Sequence, residues 1–160
     1  MNQHYLERKN HIDHLFEIVD TIQTNEEIDN EIKSCLAKYL CIIVSGFIET
    51  SIQNIYSEYT KKRAQPNVTN FVSKKLTGFK NPKIGKILDL SGGFCKNWAN
   101  ELEVLIKNEE IGDSINSLID NRNHIAHGID IGITYSRIKG YYSNSIKLLK
   151  LIDKQCSKQT

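Results

Sequence analysis

Apolar side chains recur at helical spacing along most of the chain. Between residues 5 and 22, Leu6, Ile12, Leu15, Phe16, Val19 and Ile22 stand three, four and seven apart, which predicts an amphipathic helix packed by one face. Thr24 followed by Glu27 has the form of a capping box, and no Pro or Gly follows before Gly46, so a long helix is expected to start there. From residue 32 to 59 the apolar positions, among them Tyr39, Leu40, Ile42, Val44, Phe47 and Ile52, fall on every side of a helical wheel, as in a helix buried at the centre of a core. Gly46 within it is either a close packing point or a mild kink. Pro66, Gly78 and Asn81-Pro82 interrupt the pattern; Pro82 suits the first turn of a helix and Ser91-Gly92-Gly93 its end, so two short helices are expected here. Residues 94–107 supply a further helix with Trp98, Leu102, Leu105 and Ile106 inward, and residues 110–127 another, closed by Gly128 as a left-handed cap. Thr134 can cap a last helix running to about residue 153. Residues 129–133 could form a short extended piece, which Gly128 and Gly132 weaken, and nothing else alternates as a strand does. The expectation is an all-α chain, and 160 residues suit one domain, 1–160.

Composition narrows the class. Apolar residues at 39% and charged residues at 25% are globular rather than disordered proportions, and no uninterrupted apolar run approaches membrane-spanning length. A soluble chain with no membrane partner is expected. The N-terminal residues carry no apolar signal core, which points to a cytoplasmic location. Cys35, Cys41, Cys95 and Cys156 lack the spacing of a zinc site and read as reduced packing residues, so no metal or other cofactor is expected. The net charge of +2 conceals an asymmetry: no acidic residue lies between Glu58 and Asp89, whereas that stretch holds Lys61, Lys62, Arg63, Lys74, Lys75, Lys80, Lys83 and Lys86. Such a stretch is either a solvated surface or a footprint for phosphate backbones.

Chemistry concentrates in residues 110–127. On a wheel, Ile111, Ile115, Leu118, Ile119, Ile125 and Ala126 form one apolar face, and Arg122 falls in its middle. A buried guanidinium without a partner costs roughly several kcal/mol, because arginine cannot shed its proton, so an anion should meet it. One candidate is internal: Glu49, set among Ser45, Ile52 and Tyr56 on the long helix. The other is a ligand. Asn123 and His127 are four apart on a polar edge beside the arginine, together with Asn116 and Asp120. His127 stands at the negative end of the helix dipole, a place that suits a proton donor or acceptor. His124 points to another side and reads as a surface or interface residue.

The segment Arg122-Asn123-His124-Ile125-Ala126-His127 resembles the Arg-x4-6-His motif of HEPN domains. Residues 40–49 (LCIIVSGFIE), 79–94 (FKNPKIGKILDLSGGF) and 120–128 (DNRNHIAHG) are similar, in the same order, to the RiboL-PSP branch of that superfamily. The resemblance covers about residues 31–153, and the first helix reads as a variable extension. It implies an up-and-down helical bundle with additional short helices. It also implies a homodimer in which two motifs share one cleft, and metal-independent cleavage of RNA by its own 2′-hydroxyl. His127 would move the proton, Arg122 would neutralise the phosphorane, and Asn123 would orient the histidine or a phosphate oxygen. Glu49 and Asp120 would hold Arg122 or His127, and the lysine-rich stretch would draw in RNA. The setting so implied is a toxin or anti-phage effector restrained by an antitoxin or accompanied by a nucleotidyltransferase. The alternative is a non-catalytic dimerisation or binding module in which Arg122 is a structural ion-pair partner.

Overall fold

The computed structural model describes residues 3–108 and 110–157, and seven helices account for nearly all of them. They are α1 (Gln3–Thr24), α2 (Asn30–Arg63), α3 (Pro66–Thr77), α4 (Ile84–Phe94), α5 (Lys96–Asn108), α6 (Ile111–Ala126) and α7 (Tyr135–Ser157). No strand occurs among the described residues, and residues 129–134 are irregular. The fold is all-α, as the periodicity predicts: α2 packs against α1, α3, α6 and α7, while the short helices α3 to α5 intervene between α2 and α6.

Local chemistry sets the boundaries, not always where the sequence pattern puts them. Thr24 is no N-cap: its hydroxyl donates to the Asp20 and Thr21 carbonyls inside α1. Asp29 caps α2 instead, its Oδ1 accepting from the Glu31 amide at 2.6 Å, so the long helix begins five residues later than expected. In α1 the inward stripe is led by Tyr5 rather than Leu6 and continues through Ile12, Phe16 and Val19. The Phe16 ring stacks on Tyr142 of α7 at 4.9 Å, and the Tyr142 hydroxyl donates to Asp13 at 2.7 Å, joining the two terminal helices. Pro82 lies ahead of α4, whose first amide, Ile84, donates to Asn116 Oδ1 at 3.0 Å. The glycine pair 92–93 does not end α4, because Phe94 stacks on the buried Tyr56 at 4.7 Å and holds the last turn in place. Thr134 does cap α7, accepting from the Arg137 amide, and that helix extends to Ser157.

α2 spans roughly 50 Å at 1.5 Å per residue. It is long and apolar enough by composition to cross a membrane, with half of its most apolar stretch buried in the bundle. One face carries the core residues Leu40, Val44, Phe47, Ile48, Ile52 and Tyr56. It is not buried all round, however: Ile32, Tyr39 and Ile42 are 54%, 47% and 42% exposed. Gly46 is not a close packing point, since an added methyl there would meet nothing within 4 Å. Of the four cysteines, Cys41 and Cys156 are buried, but Cys95 is half-buried and Cys35 exposed, so packing does not explain all of them.

At Gly112, by contrast, a methyl would stand 2.7 Å from Ile106 Cγ2 and 3.9 Å from Ile84 Cγ1, so the start of α6 is packed closely on α5 and α4. Gly112→Ala would gain up to about 1 kcal/mol in helix propensity and lose about 1–3 kcal/mol to overpacking. The collision wins because the obstructing atom belongs to a β-branched side chain. The expected outcome is a lower urea midpoint than the parent; an equal or higher midpoint would show that Ile106 repacks freely.

Candidate active site

The C-terminal end of α6 positions the motif. His127 is the C-cap residue; the Gly128 amide donates to Ile125 and the Ile129 amide to His124, at 3.1 and 2.9 Å. This is the paired 5→2 and 6→1 bonding of a Schellman ending, which needs a left-handed residue after the cap, and Gly128 supplies it at φ +71°. The chain therefore leaves the helix directly after His127. The imidazole is exposed and makes no hydrogen bond or ion pair among the described residues. His124 is exposed as well. The loop that follows is tied to α2 by Lys38 and Asp130, 2.6 Å apart, and the hydrogen bond from Lys38 holds the Asp130 carboxyl below the usual carboxylate range. A carboxylate so lowered keeps its partner at neutral pH and loses it only in acid.

Arg122 is partly buried rather than sealed in the apolar face, and it does not pair with Glu49. Its Nη1 donates to two amide oxygens, Asn123 Oδ1 at 3.1 Å and Asn81 Oδ1 at 3.3 Å. Glu49 reaches it at one remove: Glu49 Oε2 accepts from the Asn81 backbone amide at 3.0 Å and Oε1 pairs with Lys80 Nζ at 3.2 Å. No carboxylate among the described residues pairs with Arg122, so neutral groups aim the guanidinium without cancelling its charge. Its Nε and Nη2 edge keeps the fork of donors that fits a phosphate bidentately. Beneath it, Cys41 is buried, its thiol donating to the Leu118 carbonyl at 3.7 Å; burial pushes that thiol up to about 12 against the opposing charge of Arg122, so it is no nucleophile.

Asn81 is the residue that sequence reasoning missed. It adopts φ +51°, a left-handed conformation that Asn tolerates better than most residues, and it presents its amide N–H to Glu49 and its side chain to Arg122. The Asn81-Pro82 pair marked a turn, but no local signal tied that turn to α6. Two further contacts clamp the same segment: Lys83 pairs with Asp120 at 2.6 Å, and Asn116 caps α4. Asp120 is thus occupied by Lys83 and not by Arg122 or His127, while Asn123 holds the arginine rather than the histidine.

The eight cations of the acid-free stretch separate into groups. Lys83 pairs with Asp120 of α6, while Lys80 pairs with Glu49 of α2 and its carbonyl accepts from Lys86 at 3.0 Å. Lys61 pairs with Glu58, and Lys62 and Arg63 line a different groove with Asp153, the Arg63 guanidinium lying over the Tyr59 ring. Lys74 and Lys75 close α3.

Asn81→Gly and Asn81→Ala both delete the acceptor for Arg122, but only alanine strains a left-handed backbone. Urea unfolding should place the alanine variant roughly 1–2 kcal/mol below the glycine variant, which should unfold near the parent. Equal midpoints for the two would show that the φ of Asn81 is not built into the fold.

No curated protein and no solved structure matched the chain. A family model did: that of RiboL-PSP-HEPN matches residues 3–158. The match takes in α1, which is therefore part of the shared domain and not a variable extension, and it spans the whole Arg122–His127 segment. HEPN domains are often nucleases or RNA-binding modules. From its first helix to its last, this chain belongs to the RiboL-PSP-HEPN family.

Proposed function

We propose that the domain is a metal-independent endoribonuclease in which Arg122 and His127 act on a phosphodiester. The observation that carries this reading is the anchoring of Arg122: a half-buried guanidinium fixed by two neutral amides, with no carboxylate partner, has charge and geometry left for a phosphate. One turn onward His127 stands exposed at the helix exit, free to take or give a proton. In the reaction the RNA 2′-hydroxyl loses its proton to a base and attacks the adjacent phosphorus, and the 5′-oxygen leaves with a proton from an acid. The products are a 2′,3′-cyclic phosphate and a 5′-hydroxyl. Arg122 offsets the charge that grows on the phosphorane oxygens, and Asn123 keeps the guanidinium in place.

One imidazole cannot be base and acid in the same displacement, and the second comes from another copy of the chain. The exposed face of α2 supports that pairing. Ile32, Cys35, Tyr39 and Ile42 are spaced three, four and three apart, the seam spacing of paired helices, and lie opposite the core face. The Lys38–Asp130 contact brings the loop after His127 to the same stretch of α2. A second copy seated on this face would bring two motifs into one neighbourhood by two-fold symmetry.

On single-stranded RNA in EDTA, His127→Ala should lower the cleavage rate by about 10²–10⁴ and Arg122→Ala by about 10² or more, with both variants folded by circular dichroism. Cleavage at the parental rate by either, or ends other than 2′,3′-cyclic phosphate and 5′-hydroxyl, would remove the assignment. Ile42→Lys should convert the dimer to monomer by light scattering and abolish cleavage together with it. A parent that cuts RNA as a monomer would overturn the shared site.

A further inference from the structure

The groove between α3 and α4 takes no part in the chemistry described so far. It encloses about 500 Å³, within the range of sites for small organic groups. Its walls are aromatic: Phe71 from α3, Phe79 from the connecting turn, and Phe94, whose ring is fixed by stacking on Tyr56. Phe71 is 63% exposed, a large ring left facing the opening. Three ammonium groups, Lys75, Lys80 and Lys86, stand on the rim with a single carboxylate, Asp89, among them. The Lys75 Nζ lies 5.6 Å from the centre of the Phe71 ring, and Lys86 donates to a carbonyl that carries no net charge, so neither cation is neutralised there.

Flat apolar faces ringed by cations select a ligand that is flat and apolar in one part and anionic in the next. A nucleotide answers that description, whereas an apolar helix or an acyl chain would leave the lysines without partners. The groove is joined to the motif through the chain itself. Lys80 lines it, and the next residue, Asn81, holds Arg122. A strand whose phosphate meets Arg122 would carry its neighbouring nucleotide toward this opening.

We infer that the α3–α4 groove receives one unstacked base of single-stranded RNA, from a nucleotide close to the phosphate at Arg122, stacking it on Phe71 while Lys75 and Lys86 hold the flanking phosphates. The inference extends the ribonuclease reading by naming the form of RNA taken. A base must leave its stack to enter, so single strands and loops bind and continuous duplex does not. Stacking on phenylalanine is open to every base, so this groove sets strandedness and not sequence.

The test is fluorescence anisotropy of the full chain with a 2′-O-methyl oligouridylate, which no 2′-hydroxyl attack can cut, beside an abasic oligomer carrying the same phosphates. Phe71→Ala should weaken binding of the oligouridylate about five- to 150-fold and leave the abasic oligomer unaffected. Lys75→Gln should weaken both and flatten the dependence on salt. If Phe71→Ala binds the oligouridylate like the parent, the groove belongs to another partner, such as a protein; if it weakens both oligomers alike, no base is stacked there. Either result overturns the assignment. Because the strand cannot be cut, this outcome is independent of cleavage: a chain that stacks the base but leaves ordinary RNA intact would sink the ribonuclease reading and not the groove.

Discussion

The arrangement around Arg122 depends on a guanidinium being held by amides and not by a carboxylate. A direct ion pair with Glu49 would have satisfied the charge inside the chain and left an ordinary structural arginine. Instead the carboxylate is turned to the Asn81 backbone and Lys80, and the oxygen that meets Arg122 is the neutral Oδ1 of Asn81, aided by Asn123. Partial burial strengthens what charge remains, since attraction grows as water is withdrawn. The side chain is thus fixed in direction while its positive charge stays available.

That arrangement requires a residue in the left-handed region and a segment that holds it there. Asn81 sits at a left-handed φ, and it is kept there because the segment around it is clamped to α6 at three points: Asn81 to Arg122, Lys83 to Asp120, and the Ile84 amide to Asn116. The polar edge of α6 therefore anchors a loop over most of its length. At the helix exit, where the Schellman ending turns the chain away after His127, that edge is exposed and carries no such anchor among the described residues. The bundle beneath supplies the rigidity, with α6 packed on α2 and α7 and its Ile115 and Leu118 buried in the common core.

α2 illustrates how one helix serves several purposes. Its core face carries the bundle, Glu49 on its flank supports the arginine, and Ile32, Tyr39 and Ile42 form an apolar line that the chain itself leaves uncovered.

Much of this was legible in the linear sequence, for a physical reason: helical periodicity, capping chemistry and the grouping of Arg122, Asn123 and His127 all depend on residues within a few positions of one another. The long helices, the left-handed Gly128 closure and the family resemblance follow from such local relations. Where two local signals compete, the pattern alone misplaces the boundary, as at Thr24 against Asp29 and at the glycine pair that Phe94 overrides by stacking on Tyr56. Tertiary structure alone decided the rest. Apolarity does not say which of α2's sides meets the core, and charge does not say that Asp120 answers Lys83 while Glu49 answers Asn81. Above all, Asn81 reaches Arg122 across 41 positions of sequence. Its left-handed turn acquires meaning only when packing lays that turn against α6, because a hydrogen bond depends on distance in space and not along the chain.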